Sequence, residues 1–364
     1  MKIRVSFYTV FILIFSYSHQ KTYSQTQDKF NIMVFGDYYY NVQRDTLSTT
    51  LNNTVLNDAN NLNGFKYRRV YFTYYHKFDS RFSTKIGFDS DQKSNTTNGK
   101  FGFFVKDAYL NWDSVFKNAS LSFGLLCIPT ISTSDKWWGH RFLEKTITDL
   151  RKFESTRDMG ISLKGSFAKN QFFYTIMLGN NSGSKVEIDR FKSLYGVIGY
   201  NPSKSVVICI NYTYHFMKKS LDLYDLSPPM NWLNKDKSLF TLFTGYQKEN
   251  KFSTGLELFY AIQKHDLNTS FSFDDYSSYG ATFFVNYAYN EKLSFTGRVD
   301  YFEPNNHRLS THDCRIYALL ACNIHVQKSI IISPNLLSEF YEKMSNGAKI
   351  KPAITPRITF YWKY

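Results

Sequence analysis

"KPAITPRITFYWKY", residues 351–364, alternates strictly: Ile354, Pro356, Ile358, Phe360, Trp362 and Tyr364 fall on one face, and Thr355, Arg357, Thr359 and Lys363 on the other. A period of two sustained over this length marks a strand whose two faces meet different solvents. One face here is apolar and rich in aromatics, while the other is polar and charged. The segment just upstream repeats the division: in "CRIYALLACNIH", Ile316, Ala318, Leu320, Cys322 and Ile324 oppose Arg315, Tyr317, Asn323 and His325.

The same pattern extends back along the chain. "KLSFTGRVDYF" sets Leu293, Phe295, Val299 and Tyr301 against Ser294, Thr296, Arg298 and Asp300. "GISLKGSF" sets Ile161, Leu163 and Phe167 against Ser162, Lys164 and Ser166, and "RFSTKIGFD" sets Phe82, Ile86 and Phe88 against Ser83, Lys85 and Asp89. "GATFFVNYAY" and "SVVICINYTY" divide likewise. Each stretch is about ten residues, the length with which a tilted strand crosses a bilayer. "FVKDAYLNW" and "KSLYGVIGY" resist a clean phase, and a bulge is sufficient to explain either.

Composition agrees with a membrane barrel. Aromatics form 18% of the 364 residues, with 34 Phe and 28 Tyr against 5 Trp, while 8 Pro and 4 Cys are few. A soluble domain of this size concentrates Leu, Ile, Val and Ala in one core. A barrel between lipid and water instead needs an apolar outer face, aromatic girdles and a polar lumen.

The amino terminus has the layout of an export signal. Met1-Lys2-Ile3-Arg4 is basic, Val5 to Phe15 is mostly apolar, and polar residues follow to Ser24. The apolar run is too short to span a bilayer, so residues 1–24 are expected to be a signal peptide and 25–364 a single barrel domain.

Laid end to end, the alternating pieces number about 16 antiparallel strands. Short connections such as "AKN", "NPSK" and "QKS" take turns with longer polar ones, among them 41–65, 92–101, 129–156 and 215–237. That rhythm is the one of short periplasmic turns and long extracellular loops, which makes 129–156 the third long loop. The remaining all-β alternatives are a soluble sandwich or a secreted repeat protein, whose strands also alternate.

The signal peptide, the strand rhythm, "KYRRVYFTYYHKFDSRFSTKIGFDSD", "FVKDAYLNW" and "ITPRITFYWKY" together resemble the porin superfamily of Gram-negative outer membranes, most nearly the branch that includes the phosphate-selective porins O and P. The resemblance implies a 16-stranded barrel, commonly a homotrimer, through which small hydrophilic solutes diffuse passively. That branch's arginine ladder and lysine cluster find no residue-by-residue counterpart, so they are not carried over.

In general porins the third loop folds into the barrel. Here "TSDKWWGHRFLEKTITDLRKFES", residues 133–155, has helical character, and a connection of this length is uncommon unless functional. Phe142 or Leu143, Ile147 and Leu150 form a helical apolar stripe suited to the inner wall. Lys145 and Asp149 are spaced for an intrahelical pair. Lys136, His140, Arg141, Glu144, Lys145, Arg151 and Lys152 are thus the expected constriction residues. An external cap or a contact with a trimer neighbour is the alternative place for this loop.

The formal net charge is +14, three of it from Lys2, Arg4 and Lys21 in the leader. Inward positions carry Lys85, Lys164, Arg298, Arg315, Arg357 and Lys363, opposed by Asp37, Asp89, Glu257, Asp300 and Glu339. A mild preference for anions such as phosphate is expected. Charge on exposed loops would instead meet lipopolysaccharide phosphates in the outer membrane.

An enzyme is not expected. Histidines such as His307 and His312 are scattered, and no G-x-S-x-G, H-E-x-x-H or paired-carboxylate motif accompanies them. No cofactor, metal site or nucleic-acid partner is expected either. The other functional alternative is a specific uptake or adhesion barrel using external loops such as the one containing "SPPMNW". The four cysteines are read as unpaired small side chains.

Overall fold

The computed structural model describes residues 28–364, apart from 52, 57, 92–95, 226–228, 250, 270–271, 308–313 and 345–346. The leader, His312 and part of "SPPMNW" therefore lie outside the described residues.

Sixteen strands close into one antiparallel barrel. They are β1 Lys29–Tyr40, β2 Asn63–Lys77, β3 Phe82–Ser90, β4 Phe104–Phe116, β5 Ala119–Cys127, β6 Arg157–Phe167, β7 Phe172–Gly179, β8 Ser193–Ser203, β9 Val206–His215, β10 Lys237–Lys248, β11 Phe252–Asn268, β12 Phe273–Ala288, β13 Leu293–Glu303, β14 Arg315–Gln327, β15 Ile330–Tyr341 and β16 Ala353–Lys363. Neighbours in sequence pair throughout, and β1 closes on β16 with Gly36 opposite Phe360 and Tyr38 opposite Ile358. Closure leaves no strand edge unpaired, which a lipid-facing backbone requires. In "ITPRITFYW" Pro356, Ile358, Phe360 and Trp362 are exposed and Ile354 half-buried, while Thr355, Arg357 and Thr359 are buried inside, so the face assignments made for this strand hold.

Aromatic pairs ring the outer surface at both ends. Phe167, Phe172 and Tyr200 stack near the periplasmic turns at 5.1 and 4.7 Å between centroids. Tyr38 with Phe65 at 4.9 Å and Tyr212 with Phe240 at 4.5 Å lie near the opposite rim. These are the interfacial girdles of a membrane barrel.

The two irregular stretches resolve differently. In "FVKDAYLNW" the register shifts, with Gly87 opposite Asp107 but Phe88 opposite Val105. Lys106 is the extra residue, so it and Asp107 both turn inward. In "KSLYGVIGY" there is no bulge: Leu194 and Ile198 face out while Ser193, Tyr195 and Val197 face in. Its phase is hidden because the inner face is apolar too, and the third loop is what covers it.

The core of this protein lies inside the barrel. Val207, Phe243, Phe284, Tyr317, Leu319 and Leu337 point inward from β9, β10, β12, β14 and β15 and pack on Trp138, Phe142 and Leu143 of the third loop. A second group joins Ile147 and Phe153 to Leu239, Phe259 and Phe302, and a third joins Ile128 and Ile131 to Met177 and Tyr195. The third loop is therefore folded inward and seated against the β7–β15 wall.

Candidate functional site

Two helices flank an irregular bend in this loop. α1 spans Pro129–Trp138 and α2 is a single turn, Ile147–Leu150. The helix expected across 133–155 is thus displaced towards the amino terminus and interrupted at 139–146. Pro129 at the first helical turn fits the start of α1. Gly139 ends it at φ 65°, a left-handed conformation that glycine adopts without strain. Thr130, Ile131, Ser134 and Trp138 form its buried face, and the Asn211 side chain donates to the Thr130 carbonyl at 3.2 Å.

Without helical hydrogen bonds, the carbonyls of 142–145 need other donors in a site sheltered from water. Three arginines on the barrel wall and one indole supply them. Arg68 donates to Phe142 and Leu143, Arg357 to Leu143 at 2.8 Å, Arg298 to Lys145, and Trp138 Nε1 to Glu144 at 2.7 Å. Each arginine is itself held by a carboxylate: Arg68 by Asp37 at 2.7 Å, Arg357 by the same Asp37 at 3.6 Å, and Arg298 by both oxygens of Asp300 at 2.8 and 2.6 Å. These bidentate and shared pairs fix the guanidinium planes for the carbonyls.

The loop's far end has its own anchor. Arg151 and Glu339 are both fully buried and pair at 2.6 Å. Glu339 also accepts from the Val55 and Leu56 amides at 3.3 and 3.4 Å and from the Tyr341 hydroxyl at 3.1 Å, while Arg151 donates to the Asn53 carbonyl at 3.0 Å. One carboxylate thereby ties the first loop, the third loop and β15 together. Removing one partner of such a pair strands the other charge, at a cost of about 3–5 kcal/mol. Glu339→Gln is expected to lower markedly the temperature at which the folded barrel loses its compact electrophoretic mobility, whereas Glu342→Gln leaves it unchanged.

The constriction residues predicted from sequence divide into groups. Arg141 pairs with Asp149 at 2.7 Å, and Lys145 reaches the same carboxylate at 3.0 Å across the expected four-residue spacing. Burial raises the Asp149 pKa, but these two cations outweigh it and hold the group below the usual carboxylate value. His140, whose Nδ1 meets the Trp138 carbonyl at 2.9 Å, is pushed below the usual histidine value by burial. Glu144 accepts from the Lys145 amide at 3.0 Å. Lys136 is exposed at the periplasmic end of α1, and Lys152 is exposed after α2 at φ 62°.

The inward charges also separate. Arg298, Arg315 and Arg357 are buried behind the loop, with Arg315 reaching Thr54 at 3.3 Å. Lys85 and Lys164 instead line an open space of about 1130 Å³ along β1–β7, across from Asp135 and Arg141 of the loop. Lys85 and Arg157 share Asp107 at 2.8 and 2.7 Å, and Lys106 pairs with Asp89 at 3.0 Å. Asp89 also holds Arg69 at 3.3 Å, and Asp300 is spent on Arg298. Lys29, Lys77 and Lys363 stand at the periplasmic end of this space. Sequence reasoning missed Lys106 and Arg157: the first lies on the bulge, the second opens a strand where no period is yet established.

The four cysteines form no disulfide among the described residues, and Cys209 is buried on the inner wall. Among the described residues, Glu303, Cys314 and Glu342 have ligand atoms within 4.8 Å of one another at the outer rim, a grouping that spacing did not suggest.

Among curated proteins, none matches the sequence. Solved structures share the fold at low identity. The anion-selective porin from Comamonas acidovorans superposes with a TM-score of 0.65 at 9% identity, over 93% of this chain and 100% of that one. The outer membrane channel DcaP of Acinetobacter baumannii gives 0.66 at 10% identity over 96% and 100%, and OmpF of Salmonella typhi gives 0.61 at 8% over 93% and 97%. Residues 159–342, half of the chain, match the family model described as "Putative beta-barrel porin-2, OmpL-like", and the chain belongs to that family of outer-membrane β-barrel porins.

Proposed function

We propose that the protein is an outer-membrane porin that lets small hydrophilic solutes diffuse through the half of its lumen the third loop leaves open, with a mild preference for anions such as phosphate. The carrying observation is the charge balance of that half. Asp107 is shared between Lys85 and Arg157, while Lys77, Lys164 and Lys363 make no ion pair among the described residues. A water-filled path with unbalanced cations on its wall raises the local concentration of anions. The fold shared with an anion-selective porin agrees with this reading.

Export through cleavage of residues 1–24, assembly as a homotrimer and contact with lipopolysaccharide belong to the same reading. In planar bilayers, the refolded protein is expected to give discrete conductance steps and, in a potassium chloride gradient, a reversal potential of anionic sign. Absence of steps would sink the open-channel reading, and a cationic potential would sink the charge argument.

A further inference from the structure

We propose that the cleft between the foot of α1 and the periplasmic turns is a binding subsite for small acidic sugars. The space measures about 570 Å³, within the range of small-ligand sites. Its lining includes Lys136 and Trp137 from α1, Lys169 and Gln171 from the β6–β7 turn, Asn201 from the end of β8, Lys204 from the β8–β9 turn, and Gln247 from β10. It is separate from the residues that clamp the loop and from the wall of the larger space.

Three features point to a ligand of this chemistry. First, Lys136, Lys169 and Lys204 face one cleft, and none makes an ion pair among the described residues. Three ammonium groups on the lining of one cleft give it a positive potential that attracts an anion. The turn that presents Lys169 holds three successive left-handed residues, Ala168 at φ 50°, Lys169 at 55° and Asn170 at 66°. Such a run is unfavourable for residues with side chains, so this placement of the lysine is sustained against local preference.

Second, the Trp137 indole rests on the β10 backbone. A Cβ at Gly245 would lie 2.8 and 2.9 Å from its Cε3 and Cδ2, so glycine is what lets the ring approach. An indole held in this way offers a flat apolar platform beside the cations, and the C–H face of a sugar ring fits such a surface. Third, the side-chain amides of Gln171, Asn201 and Gln247 make no hydrogen bond among the described residues. Each provides both donors and an acceptor, which is what hydroxyl groups require. A bare inorganic anion would use the lysines alone; a uronate or sugar phosphate uses all three features.

The cleft lies at the periplasmic mouth of the channel proposed above, but its occupancy does not require conduction. The test is a titration of the refolded full chain in detergent micelles with glucuronate and glucose 6-phosphate, with glucose and inorganic phosphate as comparisons, read by calorimetry and tryptophan fluorescence. Both acidic sugars are expected to bind more tightly than either comparison. Lys169→Ala with Lys204→Ala is expected to weaken them by about tenfold or more. Trp137→Phe is expected to remove the fluorescence response.

Equal binding of glucose overturns recognition of the acid, and equal binding of phosphate overturns recognition of the sugar. Wild-type affinity in the double variant overturns the site itself. Lys204→Gln alone, on an exposed turn, supplies the same comparison if the double variant does not refold. Conductance without acidic-sugar binding rejects this subsite and leaves the diffusion reading standing; binding without conductance does the reverse.

Discussion

Deleting residues 135–152, with the ends joined by a short glycine-serine link, is expected to raise single-channel conductance several-fold. The segment removes Trp138, Phe142, Leu143 and Ile147, the side chains that fill the β7–β15 half of the lumen. Conductance follows the water-filled cross-section, so emptying that half widens the path rather than merely lengthening its mouth. The barrel ladder itself does not depend on the loop, because every strand is paired with both neighbours. What is lost is apolar burial, at about 1.5–3 kcal/mol for each large side chain, together with the buried Arg151–Glu339 pair and the carbonyl bonds that Arg68, Arg298 and Arg357 make to the loop. The deletion variant should therefore close as a barrel and conduct more, but lose its folded mobility at lower temperature. Unchanged conductance would place the loop outside the conducting path.

How much of this was legible in the chain follows from what each face touches. Lipid penalises polar side chains, so the outward positions of β16, β14 and β13 are mostly apolar and can be read directly. The inner face has no such constraint once a loop packs on it. Tyr195 and Val197 face α1, and their apolar character blurred the face assignment of β8 though not its place as a strand. The loop's location was readable from the alternation of connection lengths, but its internal structure was not. "PTISTSDKWW" is rich in Ser and Thr, which are weak helix formers, while the more helical-looking "HRFLEKTI" bends because its carbonyls bond to Arg68, Arg298 and Arg357 instead. Those partners lie far away in sequence, as does Glu339 from Arg151, 188 positions apart. Pairing at such distances leaves no local pattern to read.

The same separation decides what the inward cations do, and it yields the second large expectation. Lys77→Glu, Lys164→Glu and Lys363→Glu together are expected to reverse the sign of the reversal potential, converting an anion-preferring path into a cation-preferring one. These side chains line the open space, are exposed within it, and make no ion pair among the described residues, so their charge is felt by passing ions. The reversal should be strongest in dilute salt, because screening lengths there exceed the spacing of the lining groups. Arg298→Gln provides the contrast. Its guanidinium is buried, paired with Asp300 and committed to the Lys145 carbonyl, so its charge is already balanced and hidden behind the loop. That variant should leave the sign of the potential intact while loosening the loop and raising conductance. If Arg298→Gln shifted selectivity as strongly as the lysine exchanges, the division between clamping arginines and path-lining lysines would be wrong, and the ions would have to pass on the other side of the loop.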